Sequence, residues 1–180
     1  IGDLRKLLLS LVLRDDLCAA YSLDDDGVMR LIRLIHGIFN HRFPAECDDF
    51  SGVSNPLSVV SKELQRACPE PLAQFLGSLG RCVSPGGDGP LIKPGGHCLG
   101  NLLLLAAFFR ESACSGDEPP SLETLAKGLD IIAGAIGAVR GHLHPATATP
   151  GQLILRYSNG VAVRGQSKTA RSRRDFPIDS

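Results

Sequence analysis

The chain has 180 residues, of which 43% are apolar and 21% charged, and its 19 basic side chains are balanced by 19 acidic ones. This length suffices for a domain with its own core, and the composition excludes a chain that is disordered throughout. The balanced charge argues against a nucleic-acid-binding surface, which normally carries a basic excess.

Apolar residues recur at helical spacing in the first third of the chain. Asp3 is predicted to cap a helix that runs to Arg14, and Asp24 to cap a second helix that ends before Pro44. The apolar run at residues 7–13 is too short to span a bilayer and lacks the cleavage site of a signal peptide. We therefore expect core helices and no membrane segment.

The middle of the chain alternates helical patterns with a loop. Helices are predicted at residues 57–67 and 72–79, and the proline- and glycine-rich stretch at 84–90 is typical of a loop. The nearly continuous apolar run at 99–109 predicts a helix buried on most sides. Ser121 is predicted to cap the helix after it.

The last third changes in character. Two strand-like runs, at 153–157 and 161–163, flank Asn159-Gly160, a strong signal for a β-hairpin. The basic, polar residues 168–180 are predicted to form a tail beyond a single domain at 1–167.

The six cysteines lie at positions 18, 47, 68, 82, 98 and 114. No pair has the short spacing of a zinc site, and the residues around them differ widely in character. We expect reduced, mostly structural thiols, no metal site and a cytoplasmic protein.

One segment combines features that suit an anion. Gly95 and Gly96 lead into the apolar helix predicted from Leu99, and a helix N-terminus presents unpaired N–H groups at the positive end of its dipole. His97 and Asn101 add side-chain donors beside them. The segment is a candidate cradle for a phosphate or diphosphate, with a simple loop cap that binds no ligand as the alternative.

The same segment resembles a known family. Residues 96–104, Gly-His-Cys-Leu-Gly-Asn-Leu-Leu-Leu, look like the G-H-S-L-G-N-L-L-L signature of YvcK-type proteins, the gluconeogenesis factors, which are relatives of the 2-phospho-L-lactate transferase (CofD) family. Residues 2–5 resemble that family's P-G-D-[IL]-R-N segment and residues 39–43 its F-x-H-R-F. Residues 143–147 and 160–166 resemble its I-L-P-A-T and D-G-x-x-V-x-G-E segments, in the same order along the chain.

The resemblance implies an α/β fold, a Rossmann-like three-layer sandwich with a mostly parallel sheet and a C-terminal β-hairpin. It implies that one or more N-terminal strands are missing, because the family's glycine-rich opening does not precede Gly2. Cys98 and Gln166 depart from the family's Ser and Glu, and the acidic run from Asp24 lies in the wrong order for the family's acidic segment. The ligand would lie at the carboxyl ends of the parallel strands. The residues expected to bind it are Asp3, Arg5, Gly95, Gly96, His97, Gly100, Asn101 and Thr147.

The implied function is that of a regulator of carbon metabolism or cell-wall synthesis, which binds a nucleotide or nucleotide-sugar without turnover. One alternative is a transferase that joins a nucleotide-activated phospholactate to a deazaflavin with the help of Mg²⁺, although no catalytic residue can be assigned. A second alternative is a fragment that binds no ligand, or a protein-interaction domain. Assembly into a homo-oligomer stays open.

Overall fold

The computed structural model describes residues 2–111, 121–145, 154–156 and 162–164. The chain divides into two compact units, Ile1–Ala148 and Thr149–Ser180. The expected boundary of the basic tail, after residue 167, lies outside the described residues and stays a prediction.

The described part of the first unit is helical. Its helices are α1 (Gly2–Ser10), α2 (Arg14–Tyr21), α3 (Asp25–Asn40), α4 (Ser51–Ser54), a 3-10 turn (Pro56–Val59), α5 (Lys62–Arg66), α6 (Glu70–Cys82), α7 (Leu99–Glu111) and α8 (Leu122–Ala135). Two of the predicted caps are confirmed. The side chain of Asp24 accepts a hydrogen bond from Gly27 N, and that of Ser121 from Thr124 N.

Helix α7 lies at the centre of this unit. Eight of its thirteen residues are buried, and it packs against α1, α3, α6 and α8. Its contact with α8 is close at Gly128, where a Cβ would lie 2.7 Å from Cδ1 of Phe108. The predicted helix buried on most sides is thus confirmed, and it fixes the position of the segment that precedes it.

Two predicted helices differ from the structure. The first ends at Ser10 instead of Arg14, because Val12 forms an antiparallel bridge with Ala138 and the backbone turns to meet it. The helix expected at 57–67 is divided into the 3-10 turn and α5, whose cap is the side chain of Ser61. The long-range bridge in the first case and the local cap in the second outweigh the apolar spacing.

The second unit is described only at two short strands, β1 (Ile154–Arg156) and β2 (Ala162–Arg164). They pair antiparallel, with Leu155 opposite Val163. The Asn-Gly turn expected between them lies outside the described residues.

The expected Rossmann-like sandwich is wrong. Among the described residues there is no parallel sheet: the named strands are one antiparallel pair, and the first unit adds two isolated bridges to its helices. The ligand position inferred from the carboxyl ends of parallel strands is wrong with it. Among the described helices, none has the length and apolar character needed to cross a membrane.

Candidate ligand-binding site

Two of the segments singled out in the sequence lie side by side. Residues 41–43 follow α3 and pair with residues 97–99, where α7 begins. Phe43 N donates to the carbonyl oxygen of His97 at 3.0 Å, and Leu99 N donates to that of His41 at 2.8 Å. The first turn of α7 is therefore joined to the C-terminal end of α3.

The turn before α7 has a backbone that requires glycine. Gly96 adopts a φ of +73°, in the left-handed region, and its N–H donates to the carbonyl oxygen of Pro44 at 3.0 Å. A Cβ on Gly95 would lie 2.4 Å from the carbonyl oxygen of Ala45. The guanidinium of Arg42 donates to the carbonyl oxygen of Gly96 and holds the turn from the other side.

Arg5 of α1 lies against the same place. Its side chain is buried, and Nη1 donates to the carbonyl oxygen of Phe39 at 3.1 Å and to Oδ1 of Asn40. A cation suits this position because the last carbonyl groups of a helix are unpaired and carry its negative dipole end. A Cβ on Gly100 would lie 2.9 Å from Cδ of Arg5, so the absence of a side chain there admits the arginine.

Two buried polar atoms near Gly100 have no hydrogen-bond partner among the described residues. They are Nε of Arg5 and Oδ1 of Asn101. A buried polar group without a partner costs about 1–3 kcal/mol, so such groups are normally satisfied by protein, water or ligand. These two unpaired atoms distinguish the place where α1 meets the first turn of α7 from the rest of the described core.

Fewer backbone N–H groups are available to a ligand at the N-terminus of α7 than the sequence suggests. Leu99 N donates to His41 O, and the N–H groups of Asn101 and Leu102 both point to the carbonyl oxygen of Cys98. Three of the first four N–H groups of the helix are thus used within the protein. An anion here must rely on side chains more than on open backbone donors.

The structure brings together most of the predicted site residues. Arg5, Gly95, Gly96, His97, Gly100 and Asn101 lie in or against the first turn of α7. Asp3 lies within α1 instead of at its cap, and its side chain is not described. Thr147 lies outside the described residues.

Sequence reasoning did not assign a role to Asn40, His41 or Arg42. The only signal for them was the resemblance of residues 39–43 to the F-x-H-R-F segment. In the structure Asn40 accepts from Arg5, and Arg42 holds the turn. The His41 ring packs edge-on against Phe43 with their centroids 4.8 Å apart, which fixes its orientation.

The acidic run after Leu23 begins a helix. Asp24 is the cap of α3, and Asp25 forms an ion pair with Arg14. Among the described residues, no group of three or more His, Cys, Asp or Glu side chains is placed to hold a metal ion.

Comparisons of the chain with protein-family models, with curated proteins and with solved structures found no match. The family resemblance of the segments therefore stays a prediction, and the fold that it implied is wrong.

Proposed function

We propose that the protein binds a phosphate-bearing ligand of the nucleotide or nucleotide-sugar class at the α1–α7 junction, defined by Arg5, Arg42, His97 and Asn101. One observation carries the proposal: segments that are distant in the chain meet at a place where two buried polar atoms, Arg5 Nε and Asn101 Oδ1, have no described partner. Residues 2–5, 39–43 and 96–101 are far apart in the chain, yet Arg5 lies against Gly100 and Arg42 contacts the turn before it.

The charges at the junction favour an anion. Among the described residues, neither Arg5 nor Arg42 forms an ion pair with a carboxylate. Both guanidinium groups donate to neutral oxygens, so their charge is not compensated locally. A guanidinium fork matches two phosphate oxygens, and the positive end of the α7 dipole adds to the attraction.

These side chains differ in their exposure to solvent, and we assign them different roles on that basis. Arg42 and His97 are exposed and can reach a ligand in solvent, whereas Arg5 is 6% exposed and already donates to two oxygens. We assign the phosphate contact to Arg42, to His97 and to the amide group of the half-buried Asn101. Arg5 positions the junction through Asn40, and direct contact of its Nε with the ligand stays a prediction.

The biological role follows from the resemblance of the segments. We propose a cytoplasmic regulator of carbon metabolism or cell-wall synthesis that senses its ligand without turnover. The same three segments support both parts of this proposal, the ligand class and the regulatory role.

Calorimetric titration of UDP-glucose into the wild-type protein and Asn101→Leu tests the ligand site. Loss of a polar group that contacts a charged ligand should weaken binding by about 1–3 kcal/mol. Asn101→Asp keeps the shape of the side chain and adds a negative charge, so it should weaken binding further; Arg33→Ala, at an exposed position of α3, is the control and should leave the affinity unchanged. Unchanged affinity in a folded Asn101→Leu protein removes Asn101 from the site.

A further inference from the structure

A cavity of about 920 Å³ lies between the C-terminal halves of α6 and α7, under the loop at residues 84–90. Its polar wall includes Ser78 and Arg81 of α6 and Arg110 of α7. Arg110 is nine residues after Asn101, so the cavity lies about 14 Å along α7 from the junction described above. It is a separate place on the molecule.

One of the two arginines of this cavity is anchored by a side-chain hydrogen bond. Nη1 of Arg110 donates to Oγ of Ser78 at 3.0 Å, and Oγ of Ser78 donates its own proton to the carbonyl oxygen of Phe75 at 2.7 Å. The guanidinium of Arg110 is thereby held over α6. Arg81 follows Ser78 by three residues and so shares its face of that helix.

The charge of the cavity wall is not balanced. Arg81 and Arg110 form no ion pair with a described carboxylate, and Asp88 is the single acidic side chain among the described residues of the lining. Two guanidinium groups at one cavity repel each other, at a cost that falls when an anion lies between them. The described part of the wall thus carries a net formal charge of +1.

The loop over the cavity is held by backbone contacts. Gly89 N donates to the carbonyl oxygen of Cys82 at 2.8 Å, and a Cβ on Gly87 would lie 2.1 Å from the carbonyl oxygen of Arg81. Gly86 adopts a φ of +82° with open space beside it. The loop therefore packs back onto the end of α6, and side chains larger than glycine would displace it.

We propose that this cavity is a second binding site, for the phosphate group of a small phosphorylated molecule. Arg81 and Arg110 hold the phosphate with charge-assisted hydrogen bonds, and the volume suits a small molecule. Two guanidinium groups offer more donors than one carboxylate can accept, which favours a dianionic phosphate over a monocarboxylate.

NMR titration of the ¹⁵N-labelled protein with inorganic phosphate tests the proposal. The amide signals of Gly86, Gly87 and Gly89 should shift and saturate. Arg81→Ala should weaken this binding roughly tenfold or more, as expected for the loss of a charge-assisted contact. Arg33→Ala, which removes an exposed arginine of α3, is the control and should leave the affinity unchanged.

One further variant and one further ligand test whether the binding is specific for phosphate and for the two arginines. Arg110→Lys keeps the charge and the fold but removes the fork, and it should also weaken binding. Acetate at the same ionic strength should bind much more weakly than phosphate. Loop signals that do not move, an Arg81→Ala protein that binds like Arg33→Ala, or acetate that binds as well as phosphate would each overturn the proposal.

Discussion

Arg5 of α1 donates a hydrogen bond of 3.1 Å to the carbonyl oxygen of Phe39, 34 residues later in the chain and in the last turn of α3. The guanidinium thereby joins two helices and pairs a carbonyl that the end of α3 would otherwise leave unsatisfied. Residues 2–5 and 39–43 both resemble segments of the same family, and this contact brings the two segments together in the structure.

Replacement of Arg5 should destabilise the fold. Arg5→Ala removes a charged donor from two buried or half-buried acceptors, and we expect a loss of about 2–3 kcal/mol in the free energy of unfolding. Urea unfolding measures it. Lys6→Ala, at an exposed neighbouring position, is the control and should change stability by less than about 0.5 kcal/mol. An Arg5→Ala loss no larger than that of the control would contradict the structural role.

Two glycine substitutions in helices should have opposite signs. Either Gly→Ala change raises helix propensity by about 1 kcal/mol. At Gly100 the new Cβ would lie 2.7 Å from the carbonyl oxygen of Phe39, a backbone atom that has little freedom to move. Overpacking of this kind costs about 1–3 kcal/mol, so Gly100→Ala should be destabilising.

At Gly77 the single close contact is Nη1 of Arg81, at 3.3 Å, the mobile end of an exposed side chain. Gly77→Ala should therefore stabilise the protein by about 0.5–1 kcal/mol. Thermal unfolding of the two variants side by side measures both effects. Equal shifts in the same direction would contradict the close approach of Arg5 and Phe39 to Gly100.

Substitutions at the start of α3 test whether the acidic run at residues 24–26 serves mainly to cap this helix. Asp24→Ala removes the side chain that accepts from Gly27 N and should cost about 0.5–2 kcal/mol. Asp26→Ala lies in the same first turn without the cap bond, and a smaller loss is expected there. Chemical unfolding compares the pair, and a larger loss for Asp26→Ala than for Asp24→Ala would exclude the cap as the main role of this run.

Alkaline pH should weaken the fold through Cys68. Burial, with a smaller contribution from the Glu70 carboxylate, raises the pKa of the Cys68 thiol from 9.0 to about 11. Burial also raises the pKa of Tyr21, whose hydroxyl donates to the carbonyl oxygen of Ala135 at 2.6 Å. The folded state holds these protons more tightly than the unfolded chain does. The stability is therefore complete below about pH 9 and falls as the pH rises towards about 11.

Urea unfolding at a series of pH values measures this dependence. In Cys68→Ala the thiol no longer titrates, so the fall in unfolding free energy between about pH 9 and 11 should be shallower than in the wild type. The interval between about pH 7 and 8 serves as the internal reference, since Cys68 stays protonated there in both states. An identical slope in both proteins would show that Cys68 does not govern it.

Residue patterns predicted most of the long helices, and the family resemblance predicted the wrong fold class. The caps at Asp24 and Ser121 and the buried run at 99–109 follow from local chemistry, and the structure has them. The parallel sheet came from the resemblance of segments, whereas apolar periodicity itself indicated helices along most of the chain. The resemblance outweighed a direct physical signal, and the direct signal was right.

The candidate site could be predicted only in part. The glycines and polar residues at 95–101 carry a recognisable local pattern, whereas Arg5 was predicted as a site residue mainly through the resemblance of residues 2–5 to the family's segment. That Arg5 would meet Phe39 and Asn40 depends on how α1 and α3 pack on α7, which no local pattern encodes. The pairing of His41 with Leu99 is likewise a long-range contact.

The affinity of Arg42→Ala for UDP-glucose tests the central claim most directly. Arg42 is exposed and forms no ion pair with a described residue. The turn that it contacts is also held by backbone bonds from Gly96 N to Pro44 O and from His97 N to Pro94 O, so replacement of Arg42 should leave the fold intact. Titration calorimetry should show binding to the wild type and to Arg33→Ala, and a loss of about 1.5–3 kcal/mol for Arg42→Ala. Equal affinity in all three proteins, or no binding by the folded wild type, would contradict a phosphate site at the α1–α7 junction.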